Sequence, residues 1–197
     1  FPLDFCPNAQ PCSFGDVNHW GPQPSHYDVA RELGEKQVIQ GIDGRLTGLT
    51  NPGGGRAAAA LWLLLHDGRP ALPRKPKRCG AKLYKGLDWG IIADHMPHPE
   101  LYMSIRGGTT EVPHGHNDLL SCNVVVGSEK LIANVGNREY LDTTFSSRRY
   151  ELPDINAQYK NTIMLNGVGI AHGAALQQTE VIKGTGWEGV RLVATEA

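Results

Sequence analysis

The sequence predicts an α+β chain in two parts, helices first and then only antiparallel strands. Three observations carry this. Apolar residues repeat at helical spacing over residues 26–38 and 56–66. A proline-rich, basic stretch, residues 70–78, follows them. From there to the end come short apolar and β-branched runs separated by turn residues. Helices and strands segregated in this way build separate layers or domains, not alternating β and α units. The expected division is a helical part over 1–72, a linker over 73–80 and an antiparallel sheet part over 81–197.

Residues 1–25 read as irregular, because Pro2, Pro7, Pro11, Pro22 and Pro24 interrupt any regular element. Ser25 is placed to cap a helix over 26–38, where Val29, Leu33 and Val38 recur. Gly41, Gly44 and Gly48 mark a loop that ends at Asn51-Pro52-Gly53-Gly54-Gly55. Alanines and leucines around Trp62 then suit a helix over 56–66 that is buried on most sides. Gly68 and Pro70 stop it. Beyond the linker, strands are expected at 82–84, 89–93, 101–105, 121–126, 130–134, 162–165, 179–182 and 190–193. Gly127-Ser128-Glu129-Lys130 and Asn166-Gly167 read as turns between them.

Composition narrows the function classes. With 197 residues, 40% hydrophobic and 20% charged, the chain has the make-up of a globular protein. A formal net charge of −1 gives no whole-chain field favouring nucleic acid. The basic run Arg74-Lys75-Pro76-Lys77-Arg78 reads as a solvated linker, with phosphate binding as the alternative. The longest apolar run, Ala57 to Leu65, falls short of the roughly 20 residues of a membrane span. The start, Phe1-Pro2-Leu3-Asp4, has no signal-peptide pattern and no initiator Met. It reads as though cut from something longer. Cys6, Cys12, Cys79 and Cys122 fit no paired metal knuckle. Cys6 and Cys12 stand close enough in sequence to bridge, and spacing does not decide it. Cys122 reads as a small apolar residue.

The most informative stretch is His114-Gly115-His116-Asn117-Asp118, just before Val124-Val125-Val126. In an extended chain His114, His116 and Asp118 share one face. Two imidazoles and a carboxylate there suit a metal pair, an acid–base pair or two partly exposed loop histidines. A cupin-like barrel also carries His-x-His on a strand followed by a Glu, but Leu120 stands at that place.

The order of motifs from Gly107 to Gly169 resembles the heparinase II/III-like family of polysaccharide lyases. That family shows a His-x-His-x-Asp row, a strand, an Asp-x-Gly, a Tyr, and then a His-Asn-Thr before an Asn-Gly turn. The corresponding residues here are the row 114–118, the strand 121–126, Asn134-Val135-Gly136, Tyr140, Lys160-Asn161-Thr162 and Asn166-Gly167. The resemblance implies the last helices of an α/α toroid followed by an incomplete antiparallel β-sandwich. It implies β-elimination beside a uronic acid in an anionic polysaccharide, and a periplasmic or secreted location. His114 and Tyr140 fall at catalytic positions. His116, Asn161, Arg148 and Arg149 are expected to bind substrate. The family's tyrosine base and further polar groups come from the toroid, so the fragment alone is expected to be inactive.

Two positions depart from the family. Its metal site corresponds to His116, Asn134 and Lys160, and the last two are poor ligands. No zinc and no other cofactor is therefore expected. Instead the Lys160 ammonium would replace the ion by donating to His116 and the Asn134 carbonyl; a solvent-facing Lys160 beside a decayed site is the alternative. Asp118 reads as capping the next turn or orienting a histidine. Tyr140 contacts sugar or packs under Arg148-Arg149-Tyr150. His95, His98 and His172 read as incidental, Trp62 as core, and Trp20 and Trp187 as possible cleft residues. Trp89 carries no assignment. A module that binds carbohydrate without cleaving it is the competing function; a cupin-like metal enzyme is the third.

Overall fold

The computed structural model describes residues 2–12, 14–16, 33–34, 77–136 and 140–194. The helices expected at 26–38 and 56–66, with Trp20 and Trp62, lie outside the described residues. Within them the chain is predominantly antiparallel β-sheet, and helix occurs only as 3-10 turns such as Pro2–Phe5 and Ala157–Tyr159.

Five strands form a meander in sequence order: β1 (Lys77–Tyr84), β2 (Trp89–Met96), β3 (Leu101–Ile105), β4 (Cys122–Val126) and β5 (Glu129–Ile132). The hairpin β6 (Gln178–Gly184) and β7 (Trp187–Val193) forms a second, two-stranded sheet. Register fixes which residues share a face. Ile91 pairs with Ser104, Ala93 with Tyr102, and Tyr102 with Val125. These side chains point to one side, where Phe5, Cys12 and Phe14 cover them. Trp89 closes the edge of this core against Phe5 and Phe14 at ring distances of 5.5 and 5.1 Å. Gly90 and Ile105 face the other side, and the β6–β7 hairpin lies there. A Cβ on Gly90 would stand 3.0 Å from the Val190 methyls, so glycine eases that close approach.

The N-terminal segment is therefore a strap over the sheet. The Tyr102 hydroxyl donates to the Asp4 carbonyl at 2.9 Å, and the Ser104 hydroxyl to the Cys12 carbonyl at 3.1 Å. The Asp4 carboxylate takes Lys82 Nζ at 2.7 Å and the Tyr84 hydroxyl. A boundary at residue 72 assigns Phe5, Cys12 and Phe14 to the helical part, whereas their apolar rings and thiol are buried on the sheet. The linker likewise ends early. Residues 77–80 already belong to β1, because no proline between Pro76 and Pro97 interrupts the ladder.

Two strand expectations and one turn need adjustment. Residues 162–165 do not form a strand. Leu165 pairs only with Val168 around Asn166-Gly167, where φ values of 50° and 79° make the tight turn. The side chains of Asn161 and Thr162 are spent on the backbone of other segments. Strand β5 ends at Ile132, before Asn134. The 127–130 turn is shorter than expected, since Glu129 and Lys130 already lie in β5.

Candidate functional site

The site is built on the loop from Arg106 to Ser121, between β3 and β4. The loop is closed at its base by Arg106 N–H to the Ser121 carbonyl at 3.0 Å and Leu120 N–H to the Arg106 carbonyl at 2.8 Å. The histidine row is not extended. His114 has φ of 58°, and Gly115 N–H closes a turn on the Val112 carbonyl. His114, His116 and Asp118 therefore do not line one face. His114 keeps 56% of its side chain exposed, while His116 and Asp118 are fully buried.

Asp118 neither orients a histidine nor caps through its side chain. Its carboxylate takes Arg106 Nη1 at 2.5 Å and Asn134 Nδ2 at 2.8 Å, and only its backbone carbonyl accepts the turn bond from Ser121 N–H. The guanidinium of Arg106 also donates to the Thr109 carbonyl at 2.9 Å. This buried ion pair braces the loop from inside.

The two histidines converge instead on Asp16, which arrives from the strap. Its carboxylate lies 3.0 Å from His114 Nδ1 and 2.7 Å from His116 Nε2. Arg149 Nη2 donates to it at 3.0 Å and 3.1 Å, and also to the Gly115 carbonyl at 3.1 Å. The Asp16 side chain is 2% exposed. Burial alone would raise its pKa. The hydrogen bonds from His116 and His114 and the Arg149 charge outweigh that and hold the carboxyl below its usual range.

Lys160 closes the other side of His116. Its ammonium stands 2.9 Å from His116 Nδ1 and donates to the Val135 carbonyl. Lys160 is thus a buried partner of His116 and not a solvent-facing residue. The second acceptor is the carbonyl of Val135, not of Asn134, whose side-chain amide is turned toward Asp118. An ionised Asp16 only accepts, so His116 donates from Nε2 and accepts at Nδ1. Burial and the nearby Lys160 charge lower the His116 pKa against the pull of Asp16 and Asp118, which favours the neutral ring. Burial brings Lys160 down to about 8, opposed by Asp118 and Asp154.

The other expected site residues fall into two groups. Tyr140 is exposed and packs edge-on against Phe145 at 4.9 Å, and His114 packs edge-on against the same ring at 5.5 Å. The pair His114 and Tyr140 is therefore gathered around Phe145. By contrast, Arg149 is buried and engaged by Asp16. Asn161 is held by Cys122 N–H at 2.9 Å and by the Cys122 and Ala133 carbonyls at 2.7 and 3.0 Å. The Arg149 and His116 side chains are buried and not open to a polymer, while the half-exposed Asn161 spends its amide on backbone. Arg148 is exposed and pairs with Glu151 at 2.9 Å. His172 stacks on Tyr150 at 4.1 Å.

Sequence reasoning missed Asp16 and Arg106. The only local hint to Asp16 was Gly15. Its φ is 77°, and a Cβ there would stand 2.8 Å from the His114 carbonyl. Glycine thus lets the strap touch the histidine loop.

A cleft of about 500 Å³ opens beside His114 and Asp16, walled by Trp89, Arg106, Thr109 and Leu176. Gly107 and Gly108, also in its wall, let the loop pack closely on the turn at Leu87-Asp88, where a Cβ would meet the Asp88 and Leu87 carbonyls. Trp187 is exposed but does not line it. Among the described residues, no group of three or more His, Cys, Asp or Glu side chains is placed to share a metal ion. Among these residues no helix is long and apolar enough to cross a membrane. No protein-family model matches this chain, and no curated protein matches it.

Proposed function

We propose that this chain is the sheet-bearing part of a polysaccharide lyase of the heparinase II/III-like kind, acting on a uronic-acid-containing anionic polysaccharide outside the cytoplasm. The observation that carries this reading is the exposed His114, tied to a buried carboxylate at the mouth of a cleft, with Tyr140 across the same Phe145 ring. In β-elimination a base takes the C5 proton beside the uronate carboxylate. The electron pair forms the C4–C5 double bond, the C4–O bond breaks, and an acid protonates the leaving oxygen. His114 and Tyr140 are the two acid–base groups this part of the site offers. The resemblance assigns the remaining groups to the toroid. On this reading the five-stranded sheet and the β6–β7 hairpin begin a β-sandwich.

The Lys160 ammonium stands in for the family's metal ion. A zinc ion needs three or four good donors. Here the Lys160 ammonium covers His116 Nδ1, and the amide nitrogen of Asn134 is turned to Asp118, so these residues do not fit zinc. Purified protein is expected to hold no stoichiometric zinc; one zinc per chain, lost in His116→Ala, ends this assignment.

The function is tested with the full-length protein that carries the chain, on alginate, heparan sulfate, chondroitin sulfate and hyaluronan. An absorbance rise in the near ultraviolet from the unsaturated uronate on one of them is expected. One observation favours a binding module instead: of the family's metal positions only His116 keeps a good donor, and its Nδ1 is taken by Lys160. That reading predicts retained binding with no absorbance rise on any polymer.

A further inference from the structure

His114 and His116 both bind Asp16, but through different ring nitrogens: His114 through Nδ1 and His116 through Nε2. A carboxylate only accepts, so each histidine must donate from the nitrogen that faces it. In a neutral imidazole the other nitrogen is then the acceptor, and the partner's choice of nitrogen fixes the tautomer. For His116 that second nitrogen is Nδ1, sealed on the Lys160 ammonium at 2.9 Å inside the protein. For His114 it is Nε2, on a ring that keeps 56% of its side chain exposed and lines the cleft.

We propose that Asp16 is a positioning residue that gives the two histidines different roles, making His114 Nε2 the imidazole acceptor offered to substrate and His116 a buried structural link. The chain is built for this assignment at three points. Asp16 N–H donates to the His114 carbonyl at 3.1 Å, so strap and histidine are joined through backbone as well as side chain. Phe145 meets the His114 ring edge-on and limits its rotation. Arg149 grips the same carboxylate and the Gly115 carbonyl between the histidines, which fixes where Asp16 can stand. A lone exposed histidine would exchange between tautomers and present its acceptor nitrogen only part of the time. Asp16 holds it in the one form that can take a proton at Nε2.

The inference rests on the lyase reading only for the chemistry performed at Nε2; the tautomers themselves are independent of it. They are read by nitrogen–proton correlation spectra of the imidazoles in ¹⁵N-labelled protein, above the ordinary titration range of histidine. The wild type is expected to show opposite patterns, with the proton of His114 on Nδ1 and that of His116 on Nε2. The same tautomer on both rings, or an averaged His114, overturns the proposal without any variant having to fold. The near-isosteric Asp16→Asn sharpens it. There His114 is expected to become averaged, while His116 keeps its tautomer through Lys160. An unchanged His114 pattern in that variant also overturns the proposal. In the elimination assay Asp16→Asn is expected to lose about 10²-fold or more in kcat with little change in KM. Opposite tautomers together with no elimination on any polymer leave the Asp16 assignment standing and remove the lyase reading.

Discussion

Two buried regions, one under the strap and one at the loop between β3 and β4, are held by different physics. Under the strap, Phe5, Phe14, Ile91, Ala93, Tyr102 and Val125 exclude water, and each contributes roughly in proportion to the apolar area it hides. Beyond the ends of β3 and β4, Arg106, His116, Asp118, Arg149 and Lys160 are nearly as buried but carry charge or hydrogen-bonding atoms. There, stability depends on how well donors meet acceptors, because an unpaired buried polar group is costly. The difference teaches where to look for function. The apolar region needs only shape, whereas the polar one specifies which nitrogen of which histidine faces outward.

The sharpest way to break the comparison is to remove one group from each region. Asp16→Ala leaves Arg149 and two histidines without their acceptor and is expected to cost about 3–5 kcal/mol in denaturant unfolding. Ile91→Ala is expected to cost about 2–5 kcal/mol through its cavity. The two losses differ in their pH dependence. The folded pKa of Asp16 lies below its unfolded value, so its contribution is present above the unfolded pKa and is lost as pH falls through the folded one. The penalty of Asp16→Ala should shrink in strong acid, and that of Ile91→Ala should not.

Lys160 offers an alkaline counterpart. Its folded pKa, about 8, lies below the ordinary lysine value of 10.5. The unfolded chain therefore binds more protons between these values, and the Lys160 contribution to stability rises with pH across that window. Unfolding measured from pH 8 upward should show that rise in the wild type and a flatter course in Lys160→Met. Gly15→Ala comes next. A φ of 77° and a Cβ 2.8 Å from the His114 carbonyl are expected to cost about 1–2 kcal/mol and to loosen Asp16 from the histidines. The smallest effect belongs to Arg148→Ala. Its pair with Glu151 is exposed, and Tm should not change measurably.

The apolar region was the more legible in sequence. Alternating runs such as Leu101–Ile105 state their own strand, and this one matches the observed bounds. β2, β6 and β7 also arise where such runs stand, with ends shifted by a few residues. Legibility fails where a partner is remote. The strap's place on the sheet depends on residues far along the chain, and nothing near Phe5 or Phe14 announces it. The site shows the same limit. His114, His116 and Lys160 were legible as a series of motifs, and Lys160 does meet His116. Asp16 was not, because a single acid in an irregular segment has no periodicity, and His114, His116 and Arg149 lie about a hundred residues or more away. Arg149 is expected to bind a polymer because an arginine looks alike in sequence on a surface and in a buried network; only burial separates the two.

The most direct test of the account is the rate of unsaturated uronate formation by the full-length protein and by its His114→Gln variant, each shown to melt at the same temperature. The account predicts a loss of about 10²–10⁴-fold in the variant. Equal rates in the two proteins would contradict it, since the group that the buried network holds toward the cleft would then take no part in the reaction.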